Sequence, residues 1–247
     1  MTKVALIPGH GGFDPGAVNE NNGVRECDGN LAVALKVKDL LGFNDFEVAM
    51  SRTTDEACGG AANINQDVNN QISFGNNSGA DIAVAIHYNS ASSSLAHGTE
   101  ALYSQYNGLS ESNIALARLL ANEVSAATGL TNRGIKDTQR SVGVVRAINI
   151  PVALIECAFV SNDEESIWCW DPDHQLIIAK AVAKAVCEYF GKEYIDMTET
   201  TVTLNGKKLA SGYLINNRNY VPIGLIAAAL GLKVTWDAAT KTVKLVQ

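Results

Sequence analysis

The chain has 247 residues, of which 47% are hydrophobic and 18% charged. This is ordinary globular composition and excludes a disordered or collagen-like protein, and no apolar run reaches the ~18 residues that a membrane-spanning helix needs. The net charge of −7 is unevenly spread: residues 200–247 carry Lys207, Lys208, Arg218, Lys233, Lys241 and Lys244 against Asp237 alone, a balance of +5, leaving −12 on residues 1–199.

In chain order, residues 4–7 form a short apolar run of the buried-strand type. Residues 26–41 place Leu31, Val33, Leu35, Val37, Leu40 and Leu41 at helical spacing, and Gly42 stops the helix. Phe46, Val48 and Met50 alternate as in a strand with one buried face. Residues 61–78 are polar and rich in Asn, and predict a helix with a narrow stripe of Ile64, Val68 and Ile72. Residues 82–86 are a second apolar strand, and 98–104 a third. Ser110 is placed to cap a helix that carries Ile114, Leu116, Leu119, Leu120 and Val124 and ends at Gly129. Residues 142–145 and 152–155 predict two further strands. Ser161-Asn162-Asp163-Glu164 fits a capping box opening a short helix, and residues 174–190 a long helix stopped by Gly191. Strands alternating with helices of ~10–15 residues predict an α/β sandwich, a largely parallel mixed sheet between helices. Residues 1–192 form this domain.

The texture changes after Gly191. Residues 193–201 look like a linker, and 202–247 predict a ββ-α-ββ module of the α+β type. It has turns at Asn205-Gly206 and Asn216-Asn217, a helix opened by Pro222, and a hairpin around Asp237-Ala238-Ala239-Thr240. Its positive charge suits an anionic polymer, although a module of this size can carry lysines for solubility alone.

Cys27, Cys58, Cys157, Cys169 and Cys187 are odd in number and contain no CxxC pair, so a zinc ribbon or thioredoxin-like site is not expected and all five read as reduced thiols. His97 and His174 read as surface residues. Trp168 and Trp170 read as a hydrophobic cap over the core rather than a platform for sugar.

Three apolar strands end in residues able to serve a metal site: residues 4–9 lead to His10, 82–86 to His87 and 152–155 to Glu156. Ligands of open α/β sheets bind outside the carboxyl ends of strands. Glu26, at the start of the first helix, belongs at the same edge. Two imidazoles and one carboxylate suffice for a catalytic zinc with an open position, and the remaining carboxylate is then free to move protons. Gly9-His10-Gly11-Gly12-Phe13-Asp14-Pro15-Gly16-Ala17 is too glycine-dense for a plain connection. It lacks both the Walker and the GxGxxG patterns of a phosphate loop.

Over most of residues 3–190 the sequence resembles the zinc-dependent N-acetylmuramoyl-L-alanine amidases of bacterial autolysins and phage endolysins. The matching blocks are Gly9-His10-Gly11-Gly12 with Asp14-Pro15-Gly16-Ala17, Gly23-Val24-Arg25-Glu26, Ser51-Arg52-Thr53-Thr54-Asp55, Ala80-Asp81, Ile86-His87-Tyr88-Asn89, Gly98-Thr99-Glu100, Arg133-Gly134-Ile135-Lys136 and residues 155–162. The resemblance implies a phosphorylase/hydrolase-like fold, one zinc bound by His10, Glu26 and His87, and Glu156 as the catalytic glutamate. It also implies cleavage of the amide between N-acetylmuramic acid and L-alanine in peptidoglycan. The tail resembles the small copper amine oxidase N-terminal-like domain through Asn205-Gly206-Lys207, Tyr220-Val221-Pro222, Ala229-Leu230-Gly231 and residues 234–237. With no histidine or cysteine in it, no metal chemistry is expected there.

Two other readings share these residues: a zinc peptidase or carboxypeptidase cutting inside the stem peptide, and an inactive wall-binding protein. The expected partners are peptidoglycan, an anionic wall polymer for the tail and, alternatively, another copy of the chain; no nucleic acid is expected. With no secretory signal read at the start, the expectation is synthesis in the cytoplasm and action on the wall after release.

Overall fold

The computed structural model describes residues 1–139, 141–215, 218–237, 240 and 242–246. The chain separates into two compact units, Met1–Tyr194 and Ile195–Gln247.

The first unit is built on a six-stranded sheet of order β2-β1-β3-β6-β4-β5. Its strands are β1 (Lys3–Pro8), β2 (Glu47–Met50), β3 (Ile82–Asn89), β4 (Thr99–Tyr103), β5 (Asn132–Asp137) and β6 (Val152–Phe159). All neighbouring pairs are parallel except β4 with β6, so the sheet is mixed and largely parallel. The central strands β1, β3 and β6 are apolar over residues 4–8, 82–86 and 152–155, because helices cover both faces there. The helices are α1 (Glu26–Phe43), α2 (Ile64–Asn77), α3 (Ser110–Thr128), α4 (Gly143–Ala147), α5 (Asp163–Trp170) and α6 (Pro172–Tyr189).

The alternation of side chains along strands sets the layers. Ala5, Ile7, Ala83, Ala85, Val152 and Leu154 share one face and pack with Val144, Val145 and Ile148 of the α4 segment, with Phe74 of α2 and Leu102 of β4 completing the cluster. The other face is covered by α1, α3 and α6, which also pack on one another. Two residues beyond Ala85 and Leu154, on the α2/α4 face, come His87 and Glu156.

Several local expectations change. Residues 142–145 are not a strand: Gly143–Ala147 is helix α4, a single turn whose apolar residues are buried against the sheet. The polar edge strand β5, unmarked by an apolar run, pairs with β4 instead. In α2, Ile64 is 60% exposed, and the inward positions are Asp67, Gln71 and Gly75. This polar face is satisfied internally: Asp67 accepts from the Cys58 backbone and from the Gln71 side chain. Ser110 is the first helical residue of α3 rather than its cap. For α5 it is Asn162 that caps, accepting from the Glu164 and Glu165 amides. Strands β3 and β6 run on past the positions where they were expected to stop, so His87 and Glu156 lie within strands. All five cysteines are free and buried.

The second unit holds an antiparallel sheet β7-β8-β9 (Thr198–Leu204, Lys207–Ile215, Arg218–Tyr220), helix α7 (Ile223–Ala229) and a hairpin β10-β11 (Lys233–Asp237, Thr242–Val246). Strand β7 begins inside the segment expected to be a linker, residues 193–201, and a third strand joins the first pair, so the expected ββ-α-ββ order becomes βββ-α-ββ. The expected turn at Asn216-Asn217 and the Ala238-Ala239 part of the hairpin turn lie outside the described residues. No helix among the described residues is long and apolar enough to cross a membrane.

Candidate metal centre and catalytic crevice

The loop after β1 holds His10 by a tight closure. The Gly11 amide donates to the Asp14 carbonyl (2.8 Å) and the Asp14 amide returns a bond to Gly11 (3.2 Å). His10 itself stands at φ 60, a left-handed backbone that a non-glycine residue adopts only where its surroundings impose it. Asp14 Oδ2 lies 2.8 Å from His10 Nδ1. In the neutral ring, a carboxylate placed there favours the proton on Nδ1 and leaves the Nε2 lone pair to a ligand, the usual way in which an acidic group orients a metal-binding imidazole.

Glu26 is the first residue of α1 and is 4% exposed. Its Oε2 accepts the Ala17 amide (3.0 Å). Its Oε1 lies 2.9 Å from His87 Nδ1 and 3.3 Å from His10 Nε2, and accepts from the Tyr88 amide and the Asn30 side chain. Burial works against its charge, but hydrogen bonds and charge from the two histidines outweigh it and hold the carboxyl far below the ordinary carboxylate range. For His10, burial opposes protonation, while Glu26 and Asp14 more than offset it and raise the pKa to about 9.

One ligand atom each from His10, Glu26 and His87 lies within 4.8 Å of the others. The space around them is kept open by glycine. A Cβ on Gly9 would sit 2.0 Å from His87 Cε1, and one on Gly16 would sit 2.7 Å from both Glu26 Oε2 and His10 Cδ2. A second grouping of possible ligands, Cys27, Asp28 and Asp55, differs in kind: Arg25 pairs with both aspartates, and burial pushes the Cys27 thiol up to about 11.

Glu156 of β6 pairs in register with His87 of β3 on one side and with Glu100 of β4 on the other. Leu102 of β4 in turn pairs with Lys136 of β5, so Lys136, Glu100, Glu156 and His87 share one face across four neighbouring strands. Glu156 Oε2 is buried and has no hydrogen-bond partner within the protein. Burial first, then the charges of Glu26 and Glu100, raise its pKa to about 8. A carboxyl with an unsatisfied oxygen and a pKa near neutrality is equipped to take and return a proton. The four residues singled out from sequence thus occupy one crevice.

Other residues of the crevice had no role assigned from sequence, although they lie in the same motif blocks. Arg52, 5% exposed, donates to the carbonyls of Pro8, Gly9, Cys27 and Thr54. It thereby ties the end of β1 to the first turn of α1, the two segments that carry His10 and Glu26. Glu100 accepts from Asn89, Arg133 and Lys136. These partners are 11 to 36 residues away in sequence, so no local pattern announces them. His97 is exposed and lines a separate cavity with Leu95, Leu130, Glu164 and Trp168. Trp170 packs on Tyr88 (5.4 Å between rings), as a cap over the core would, whereas Trp168 stacks on His174 (4.1 Å).

Comparison with known proteins agrees with this fold. Residues 4–188 match the family described as N-acetylmuramoyl-L-alanine amidase, and residues 203–247 match the copper amine oxidase N-terminal domain. The chain is 30% identical over 193 residues to the germination-specific N-acetylmuramoyl-L-alanine amidase of Bacillus subtilis, covering 76% of this chain and 79% of that protein. Among solved structures, it is similar to the CwlD amidase of Clostridioides difficile, seen in complex with the GerS lipoprotein. That likeness has a TM-score of 0.71 and 28% identity, and covers 77% of this chain and 98% of that one. The catalytic domain of CwlV, an N-acetylmuramoyl-L-alanine amidase from Bacillus (Paenibacillus) polymyxa, gives a TM-score of 0.69 at 31% identity, covering 78% and 100%.

Proposed function

The chain belongs to the N-acetylmuramoyl-L-alanine amidase family, and from that premise we propose that it hydrolyses the amide joining N-acetylmuramic acid to L-alanine in peptidoglycan with one zinc ion held by His10, Glu26 and His87. Amidase activity on peptidoglycan follows from family membership. The zinc, the residue roles and the biological setting are the proposal. One observation carries it: two imidazole nitrogens and a carboxylate oxygen within 4.8 Å of one another, with Glu156 in register beside His87. Such a donor set, with Asp14 behind His10 and glycines leaving room, fits zinc and leaves a position open.

When bound, zinc supplies Lewis-acid polarisation of the scissile carbonyl and lowers the pKa of water. The protein's own groups do the rest. Glu156 takes a proton from the attacking water as the C–O bond forms, and delivers it to the alanine nitrogen as the C–N bond breaks, so that a neutral amine leaves. Its raised pKa favours that return step, and positive charge in the cradle draws it back toward ionisation for the first. Asp14 keeps His10 in one tautomer throughout. Glu26 meets the histidines from the amino terminus of α1, where carboxylates are favoured.

The role in lysis, as an autolysin or phage endolysin acting on the wall after release from the cell, belongs to the same proposal. So does the reading of the basic second unit as a contact for an anionic wall polymer or for another copy. The deciding experiment is mass spectrometry of digested muropeptides, with metal content measured on the same samples. Intact glycan and peptides with a free amino-terminal alanine are expected from wild type, and neither from Glu156→Gln, with zinc retained in both. Cuts inside the stem peptide would point to a peptidase instead, and full activity after chelation would remove zinc from the reaction.

A further inference from the structure

The row of charged groups across the sheet extends past the catalytic glutamate, and its far end has no part in the chemistry above. Glu100 is 4% exposed and is saturated: Oε1 accepts from Asn89 Nδ2 (2.8 Å), and Oε2 from Arg133 Nε (2.7 Å) and Lys136 Nζ (2.5 Å). One carboxylate between two cations leaves a net positive charge. Both cations reach solvent, with side-chain exposures of 34% for Arg133 and 48% for Lys136.

Arg133 is held in place on three sides. Its Nε bonds Glu100, its Nη1 bonds the His97 carbonyl (3.2 Å), and its guanidinium lies 4.9 Å from the centre of the Phe159 ring. Among the described residues, its Nη2 and two of the three N–H groups of Lys136 have no partner. The structure therefore holds two braced cations with donors to spare at the β4/β5 side of Glu156, while the metal cradle lies on the β3/β1 side. A scissile amide at Glu156 would therefore have these two cations on one side of it and the metal cradle on the other.

We propose that Arg133 and Lys136, with Glu100 as the positioning residue that holds them, receive a carboxylate of the stem peptide close to the scissile amide. On this reading the enzyme selects peptidoglycan whose second stem residue carries a free carboxylate over peptidoglycan in which that group is a carboxamide. Two donors on a rigid frame suit a carboxylate, and a neutral amide forgoes the charge-assisted part of the contact. The inference rests on the proposed amidase reaction and concerns which substrate that reaction accepts.

The test compares two synthetic muropeptides, identical except for a free carboxylate or a carboxamide on the second residue. The ratio of kcat/KM for acid over amide is measured for wild type, Lys136→Met and Lys136→Arg, with zinc content and Tm recorded for each. Wild type is expected to favour the acid by about tenfold, the scale of a partly exposed charge-assisted bond. In Lys136→Met the ratio should fall toward one, mainly through KM, and Lys136→Arg should restore most of it. A wild-type ratio near one, or a ratio that survives Lys136→Met while both substrates slow equally, would overturn the inference and leave the amidase reading intact. Failure of wild type to cut the lactyl amide in either muropeptide would overturn both.

Discussion

Glu156 and His87 are directly paired residues of adjacent parallel strands, β6 and β3. The proposed catalytic carboxylate and one proposed zinc ligand therefore keep their spacing through backbone hydrogen bonds rather than through a flexible loop, which is how a reacting geometry is held to a fraction of an ångström. Glu156 donates nothing to the metal cradle itself. Glu156→Gln is nearly isosteric, so it should leave zinc content and Tm within error of wild type while turnover falls by roughly 10²–10⁴, the usual range for a general acid–base group. Elemental analysis beside a muropeptide release assay checks both halves.

Asp14 acts through His10. Replacing it with Ala removes the 2.8 Å contact to Nδ1 and frees the ring to turn or change tautomer. Zinc affinity should fall by about 10–100-fold, as is typical for loss of an orienting carboxylate, with activity restored at high zinc. Competition against a chromogenic chelator reads this directly. Unchanged affinity would mean that the backbone of the left-handed His10 position orients the ring without help.

The two glycines that line the cradle make a steric prediction. Gly9 needs the absence of a side chain, since a Cβ would lie within the His87 ring at 2.0 Å from Cε1; Gly16 needs that absence and its φ of +66 as well. Gly9→Ala should displace His87 and remove most bound zinc. Gly42→Ala, where a Cβ would meet nothing within 4 Å, serves as the control and should keep it. A Gly9→Ala protein with wild-type zinc content would show that the cradle adapts more than its packing suggests.

Arg52 joins the two halves of the site without touching the ligands. Its guanidinium spans four backbone carbonyls, and burial, the largest influence on it, lowers its pKa. Arg52→Met would leave buried carbonyls unsatisfied, at roughly 1–3 kcal/mol for each one that finds no water. A clear drop in Tm is expected, with loss of zinc affinity in the fraction that remains folded. Arg52→Lys should rescue little, because one ammonium cannot reach across the same span.

These residues also mark how far the sequence could be read. Apolar runs that are buried on both faces announce themselves, which is why β1, β3 and β6 were legible and why His10, His87 and Glu156 could be placed at one sheet edge. Short or polar elements carry no such mark. The two valines of α4 resemble a strand in isolation, and only their packing against Ala83, Ala85 and Leu154 makes a helical turn of them. β5 is Asn-Arg-Gly-Ile-Lys-Asp, an edge strand with little apolar content, identified by its pairing with β4 alone. Asp14, Arg52 and Glu100 join the site through hydrogen bonds, and for Arg52 and Glu100 most partners are distant in sequence. The resemblance pointed to the blocks that contain them, but the contacts themselves exist only in three dimensions.

His10 sets the sign of the pH dependence. Its folded-state pKa is raised from 6.5 to about 9 because Glu26 and Asp14 outweigh burial. A group whose pKa is raised by folding contributes its full stabilisation below pH 6.5 and loses it as the pH climbs through 9. Glu156, raised from 4.5 to about 8, pushes the same way, because the folded state holds that proton after the unfolded chain has released it. Protein stripped of metal should therefore show a Tm that falls between pH 6.5 and 9. Zinc binding requires His10 neutral, so zinc uptake in that window should release protons, and its affinity should rise with pH. The zinc-bound protein should show a flatter profile across the same range. Thermal scans of chelator-treated and zinc-loaded protein in Glu156→Gln isolate the His10 contribution, and Asp14→Asn in that background should shrink it. A metal-free Tm that rises from pH 6.5 to 9 would contradict the assignment of a protonated His10 to the chelator-treated protein.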